Sequence, residues 1–102
     1  MQTERNGIKY RWDDNKNEIN RKKHNIDFET AIRVFADPNA IDLYDRNHSD
    51  EEERYIIIGM IDTKMVLITV VYTPRDDAYR IISAREANAA ERRAYNVSNQ
   101  NS

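Results

Sequence analysis

The segment Arg80-Ile81-Ile82-Ser83-Ala84-Arg85 closes an apolar strand with arginine at both ends, and Arg92 follows on the helical stretch behind it. Arginine is costly to bury, and its planar fork of donors grips phosphate or carboxylate through two bonds at once. Arg54 stands at the head of a second apolar run. An arginine cluster of this kind suits bidentate contact with phosphate. The same residues equally suit strand ends held in water, paired with Glu53 or Glu86. In a regular strand, alternation puts Arg85, Ser83 and Ile81 on one face and Arg80 with Ile82 and Ala84 on the other.

Other residues offer proton chemistry. His24, in Lys22-Lys23-His24-Asn25, is either an ordinary helix C-terminal residue favoured by the helix dipole or an acid/base group with lysines beside it to hold a phosphate. His48 falls in a polar loop. The consecutive acids 50–53 offer no spaced coordination geometry and read as a solvated charge run. Tyr95 is either a lid on the sheet or an anchor for a base or phosphate. With only Gly7 and Gly59, the chain has no phosphate-cradling glycine loop. It shows no His-x-x-x-His or paired-cysteine metal signature and no nucleophilic triad motif.

A small framework must position these groups. Residues 8–12 alternate weakly, as a first strand. Residues 13–24 are polar and read as an exposed helix with Ile19 its only large aliphatic residue. Asp27 is placed to cap a second helix, and Ile26 to staple against Ala31. In that helix Phe28, Ala31, Ile32 and Phe35 form one buried face that covers one side of a sheet; Pro38 stops it. The period then changes. Ile41 and Leu43 alternate as a short strand. Residues 54–60 and 65–72 are β-branched runs joined by 61–64 as a hairpin, 74–77 make a turn, and 79–85 return as the last strand. Short links favour an antiparallel meander. Asn88 with Glu91 makes a capping box for a final helix ending at Tyr95. The expected fold is α+β, a mostly antiparallel sheet with helices packed on one face, in the order β-α-α-β-β-β-β-α.

The 102 residues suit one domain, read as residues 1–95 with a flexible polar tail at 96–102. A hydrophobic content of 39%, grouped in runs, fits a globular chain, and no run approaches the ~20 apolar residues of a membrane span. The N-terminal residues lack a secretory pattern, and the absence of cysteine fits a cytoplasmic protein. The net charge of −2 argues against nonspecific nucleic-acid binding. However, seven acids lie between Asp37 and Glu53 against Arg46 alone, so a basic surface elsewhere stays open.

The chain is also similar to a known family. Tyr10-Arg11-Trp12-Asp13-Asp14-Asn15-Lys16, Asn20, Lys23-His24, Phe28-Glu29-Thr30-Ala31 and Val34-Phe35-Ala36-Asp37-Pro38 stand in order, followed by Asp45, His48-Ser49, Glu53-Arg54 and Ile58-Gly59. The 80–85 segment, Ala87, Glu91-Arg92 and Tyr95 close the pattern. This set resembles the BrnT toxins. The resemblance implies a growth-arresting ribonuclease of a type II toxin–antitoxin module, related in fold to RelE toxins, that inhibits translation without metal or cofactor. It implies a BrnA-like antitoxin with a DNA-binding domain, the complex binding its own promoter DNA. RNA would be cleaved by attack of its 2′-hydroxyl on the adjacent phosphate. In that chemistry Arg54, Arg80 and Arg85 stabilise charge, His24, Glu53 and Tyr95 are candidates for proton transfer, and Lys23 and Arg92 hold flanking phosphates. Regular alternation lets only one of Arg80 and Arg85 reach the scissile phosphate, unless a bulge intervenes. Two other readings remain: a non-catalytic antitoxin-binding module acting in transcriptional autoregulation, and a small structural domain with solvated arginines.

Overall fold

The computed structural model describes residues 1–48, 52–61 and 66–100, with the His48 side chain outside the description. Residues 62–64 of the expected hairpin link, with residue 65, and Ser49, Asp50 and Glu51 therefore lie outside the described residues, whereas Ile61 belongs to a strand. Six strands form one sheet in the order β1-β2-β6-β5-β4-β3. They are β1 (Gln2–Arg5), β2 (Ile8–Arg11), β3 (Ile41–Tyr44), β4 (Tyr55–Ile61), β5 (Val66–Arg75) and β6 (Ala78–Glu86). Helix α1 (Asp14–His24), α2 (Phe28–Ala31) and a 3-10 helix (Ile32–Ala36) lie between β2 and β3, and α3 (Ala89–Ser98) follows β6.

The sheet is mixed rather than mostly antiparallel. Strands β3 to β6 form the expected meander, but β2 runs parallel to β6, with Lys9, Tyr10 and Arg11 opposite Ala78, Tyr79 and Arg80. A further strand, β1, precedes the expected first one. Its residues carry no apolar alternation; Asn6 and Gly7, both at positive φ, turn it onto β2 as a hairpin. The turn before β6 is tighter than expected, because Pro74 and Arg75 extend β5 and only Asp76 and Asp77 turn. Pro74 is tolerated there because β4 ends its pairing at Tyr72, leaving no partner for the missing amide on that side.

Both expected caps form: Asp27 accepts from the Thr30 amide, and Asn88 and Glu91 close a reciprocal box. Asp13, expected as the first helical residue, instead caps α1, its Oδ1 accepting from the Asn15 and Lys16 amides. Helix α3 runs on to Ser98, past Tyr95, and the Asn99 side chain donates to the last-turn carbonyl of Tyr95. No helix among the described residues is long and apolar enough to cross a membrane.

The helices do not share one face. Helices α2 and 3-10 place Phe28, Ala31, Ile32 and Val34 against Ile57, Ile61, Ile68, Val70, Tyr72, Ile81 and Ala84 on the first face. Phe35 sits among three tyrosine rings there, its centroid 5.2 Å from Tyr10, 5.1 Å from Tyr72 and 5.5 Å from Tyr79. Gly59 lets the 3-10 helix lie close: a Cβ there would stand 2.7 Å from Val34 Cγ2. Helix α3 packs on the opposite face, where Ala87 and Tyr95 bury Ile58 and Leu67 with Ile41, Ile56 and Met60 at the margin. Adding an apolar face to both sides of β4 explains why that strand reads as an unbroken hydrophobic run.

Candidate functional site

The arginine strand departs from regular alternation. Between the pairs Tyr72–Ile81 and Val71–Ser83 the register of β6 slips by one residue, so Ile82 is bulged out. Ile81 and Ala84, three apart, then both enter the first core, and Arg80 (opposite Thr73), Ser83 (opposite Val71) and Arg85 (opposite Thr69) share the second face. This corrects the expected grouping of Ile81 with Ser83 and Arg85, and of Arg80 with Ala84. The extra residue re-aims one arginine and sets both on the face that α1, α2 and the 3-10 helix leave uncovered.

The neighbours of this face come from four elements. Arg54 lies half-buried just before β4, its carbonyl accepting from the Asp45 amide at 2.9 Å. Glu53 beside it is exposed, and its carbonyl accepts from the Thr73 hydroxyl at 2.9 Å, which ties this end of β4 to the strand position opposite Arg80. Glu53's carboxylate is the chief cause of a raised Tyr55 pKa. Arg85 is already engaged: its two terminal nitrogens donate to the two oxygens of Glu91 at 2.7 and 2.9 Å. Burial pushes the Glu91 carboxyl up, but the Arg85 guanidinium and the Asn88 amide outweigh it and hold it below the usual range. The carboxylate of Glu91, rather than that of Glu53 or Glu86, pairs with Arg85, while the Glu86 carbonyl accepts from it at 3.2 Å. Arg80, by contrast, makes no side-chain hydrogen bond or ion pair among the described residues.

Helix α1 closes the outer edge of β6 where β2 stops. Asn20, the buried residue of α1, acts there as a strand would: its amide donates to Ala84 O at 2.9 Å and its carbonyl accepts from Ala84 N at 3.1 Å, with a further bond to Ile26 O. Ile19, the residue expected to anchor the helix, is mostly exposed. This docking brings Lys16, Lys23 and His24 to a groove of about 220 Å³ shared with Ile82 and Ser83, at the margin of the arginine face. His24 also lines a second hollow with Ile26, Thr30, Ile68 and Glu86 on the other side. Arg92 is exposed on the first turns of α3.

Tyr95 stands apart. It is buried in the second core, and its hydroxyl donates to Asp37 Oδ2 at 2.8 Å, where the Met60 amide also donates at 2.7 Å. Burial and the Asp37 bond push the phenol up to about 12. Asp37 thus clamps β4 to α3. Removing the hydroxyl in Tyr95→Phe is expected to cost about 1 kcal/mol in denaturant unfolding. The sign of the pH effect follows: a phenol whose folded pKa exceeds its unfolded value of 10 stabilises below pH 10 and loses that contribution as pH rises towards 12. The parent should therefore lose stability in that window more steeply than Tyr95→Phe does.

The candidate site is therefore a bulged strand presenting Arg80, Ser83 and Arg85, with Arg54 and Glu53 at one end, Lys23 and His24 along one edge, and α3 as the other boundary. Among the described residues, no three His, Cys, Asp or Glu side chains are grouped to hold a metal. No curated protein matches the chain. The family model described as ribonuclease toxin, BrnT, of type II toxin-antitoxin system matches residues 12–91, a span that takes in α1, the bulged strand and the capping box of α3. A match over that much of the chain, carrying the arginine strand within it, shows that the chain belongs to the BrnT family of ribonuclease toxins of type II toxin–antitoxin systems.

Proposed function

We propose that the arginine face is the cleavage site and that it works without metal. The 2′-hydroxyl oxygen of RNA attacks the adjacent phosphorus, the bond to the 5′-oxygen breaks, and the leaving oxygen takes a proton. The products are a 2′,3′-cyclic phosphate, which opens to a 3′-phosphate, and a 5′-hydroxyl. The bulge at Ile82 carries this reading, because it sets Arg80 and Arg85 on one open face, where a phosphate gaining charge meets two guanidinium groups. Arg54 adds to that charge from the end of β4. His24 or Glu53 removes and returns the proton, and Lys23 and Arg92 hold neighbouring phosphates. Tyr95 supports the face by packing α3 and touches no substrate.

In the cell the enzyme acts in the cytoplasm, cuts RNA, inhibits translation and arrests growth. The fold is related to that of RelE toxins. Its antitoxin is a BrnA-like protein with a DNA-binding domain; it covers the arginine face with acidic or apolar segments, and the complex binds its own promoter. Cleavage is expected to persist in excess chelator and to leave cyclic or 3′-phosphate ends. Strict magnesium dependence with 3′-hydroxyl ends would exclude this mechanism.

A further inference from the structure

The same face continues past the bulge into a cleft of about 630 Å³ lined by Gln2, Arg11, Trp12, Asp13, Arg75 and Arg80, among others. The parallel pairing of β2 with β6 sets Arg11 directly opposite Arg80. The β5–β6 pairing puts Arg75 opposite Ala78, diagonal to Arg80 across the same strands. Partners in register point to one side, so all three guanidinium groups rise from the second face within two strand spacings. Like charges this close on neighbouring strands repel. The cleft's acids relieve them only in part, Asp13 through its attraction to Arg80 and Asp76 at the limit of ion-pair reach of Arg11. Asp13 is occupied by the α1 cap amides, the main cause of its lowered pKa. Asp76 stands 4.0 Å from Arg11 across open solvent. Arg75, like Arg80, makes no side-chain hydrogen bond or ion pair among the described residues. Arg11 is held loosely, by Gln2 Oε1 at 3.0 Å and Asp77 at 3.6 Å.

We infer that this cleft is a subsite for the RNA backbone, in which Arg11 and Arg75 hold a phosphate flanking the scissile one and Arg80 joins the subsite to the reacting face. An anion in the cleft relieves the repulsion of three crowded cations, and a single strand crossing the bulge has to pass it. Arg75 and Arg80 fall within the family match, whereas Arg11 precedes it, so the N-terminal hairpin supplies part of the subsite from outside the matched span. The inference rests on the reading of the arginine face as an RNA-cleaving site, and it assigns Arg11 and Arg75 to binding and register rather than to proton transfer.

The test uses the full chain, a short RNA with 2′-O-methyl groups that block cleavage, and the same RNA unmodified. Arg75→Ala and Arg11→Ala are each expected to weaken binding of the blocked RNA roughly tenfold, as loss of a charged hydrogen bond does. The slope of log affinity against log salt is expected to fall by about 0.7 for each phosphate that the protein no longer neutralises. On the cleavable RNA, KM should rise by a similar factor with kcat held within about threefold. Arg75→Lys, which keeps the charge, should recover most of the salt slope. Because Arg75 makes no structural hydrogen bond or ion pair among the described residues, a fold defect in Arg11→Ala leaves Arg75→Ala as the deciding variant. Parent-like affinity and salt slope in Arg75→Ala would overturn the subsite while leaving the ribonuclease reading intact. RNA binding lost in Arg75→Ala, in a parent that never cleaves, would sustain the subsite and sink the cleavage mechanism. Variants that bind RNA normally but no longer bind a glutamate-rich peptide would assign the cleft to a protein partner and overturn the inference.

Discussion

Arg80→Ala is expected to lower the RNA cleavage rate roughly 10²–10³-fold in a protein that stays folded, about the loss seen when one preorganised charge contact to a transition state is removed. Folding should be spared because the Arg80 side chain makes no hydrogen bond or ion pair among the described residues and lies at the surface of the sheet. A solvated strand-end arginine would shift stability by no more than about 0.5 kcal/mol and leave cleavage unchanged. The two readings therefore differ in one rate measurement on soluble protein, paired with a denaturant curve. Arg80→Lys keeps the charge without the planar fork and should recover activity only in part. Arg85→Ala is a less clean experiment. It strands the mostly buried Glu91 carboxylate without its bidentate partner, so a fall in stability is expected along with a fall in rate. Glu91→Gln separates the two effects, because it loosens the ion pair while leaving Arg85 on the face.

Asn20→Leu is expected to be the most damaging single change that leaves the apolar cores untouched. It fills the space but orphans the Ala84 amide, the Ala84 carbonyl and the Ile26 carbonyl, each of which now bonds Asn20. An unsatisfied buried polar group costs about 1–3 kcal/mol, so a loss of roughly 3 kcal/mol or more in denaturant unfolding is expected. Asn20→Asp keeps the acceptor for the Ala84 amide but sets a carboxylate against two carbonyls, and should be no better. Activity should fall further than stability alone explains, since α1 carries Lys23 and His24 to the groove beside Ser83. A folded Asn20→Leu protein with parent stability would show that the helix is held by something other than this clasp.

Much of the frame was legible because it is written locally. Asp27 and Asn88 cap helices through their own side chains a few residues away, and Phe28 and Ala31 fall at helical spacing, so short windows suffice. The helix after Asp27 was legible as an element but not in its form, since the turn tightens to a 3-10 helix where Val34 fits over Gly59. What was not legible depended on distant partners. The parallel join of β2 to β6 pairs residues from opposite ends of the chain, which no window contains. The bulge at Ile82 follows from how β6 meets β5, and only the three-residue step from Ile81 to Ala84 hints at it. The salt bridge of Arg85 went to Glu91 because the following helix folds back beside the strand, and nearer acids in sequence were not nearer in space. One feature had a usable signal in the sequence, since Asn6-Gly7 is a strong hairpin dipeptide. Asn20 had none, because α1 also carries Asn15 and Asn17 and only the fold shows which of the three is buried.

The parallel join of β2 to β6 also sets when the molecule becomes itself. Local hairpins and capped helices form early in a chain, whereas pairings between distant segments wait on loop closure. The first hairpin has no sheet to join until Ala78–Arg80 has been synthesised and has paired with β5. A nascent chain leaving the ribosome therefore carries Arg11 long before it carries the neighbour that Arg11 faces. Arg11 and Arg80 become neighbours only once β6 has been made and paired, so a partner that recognises both has no shorter nascent chain to meet.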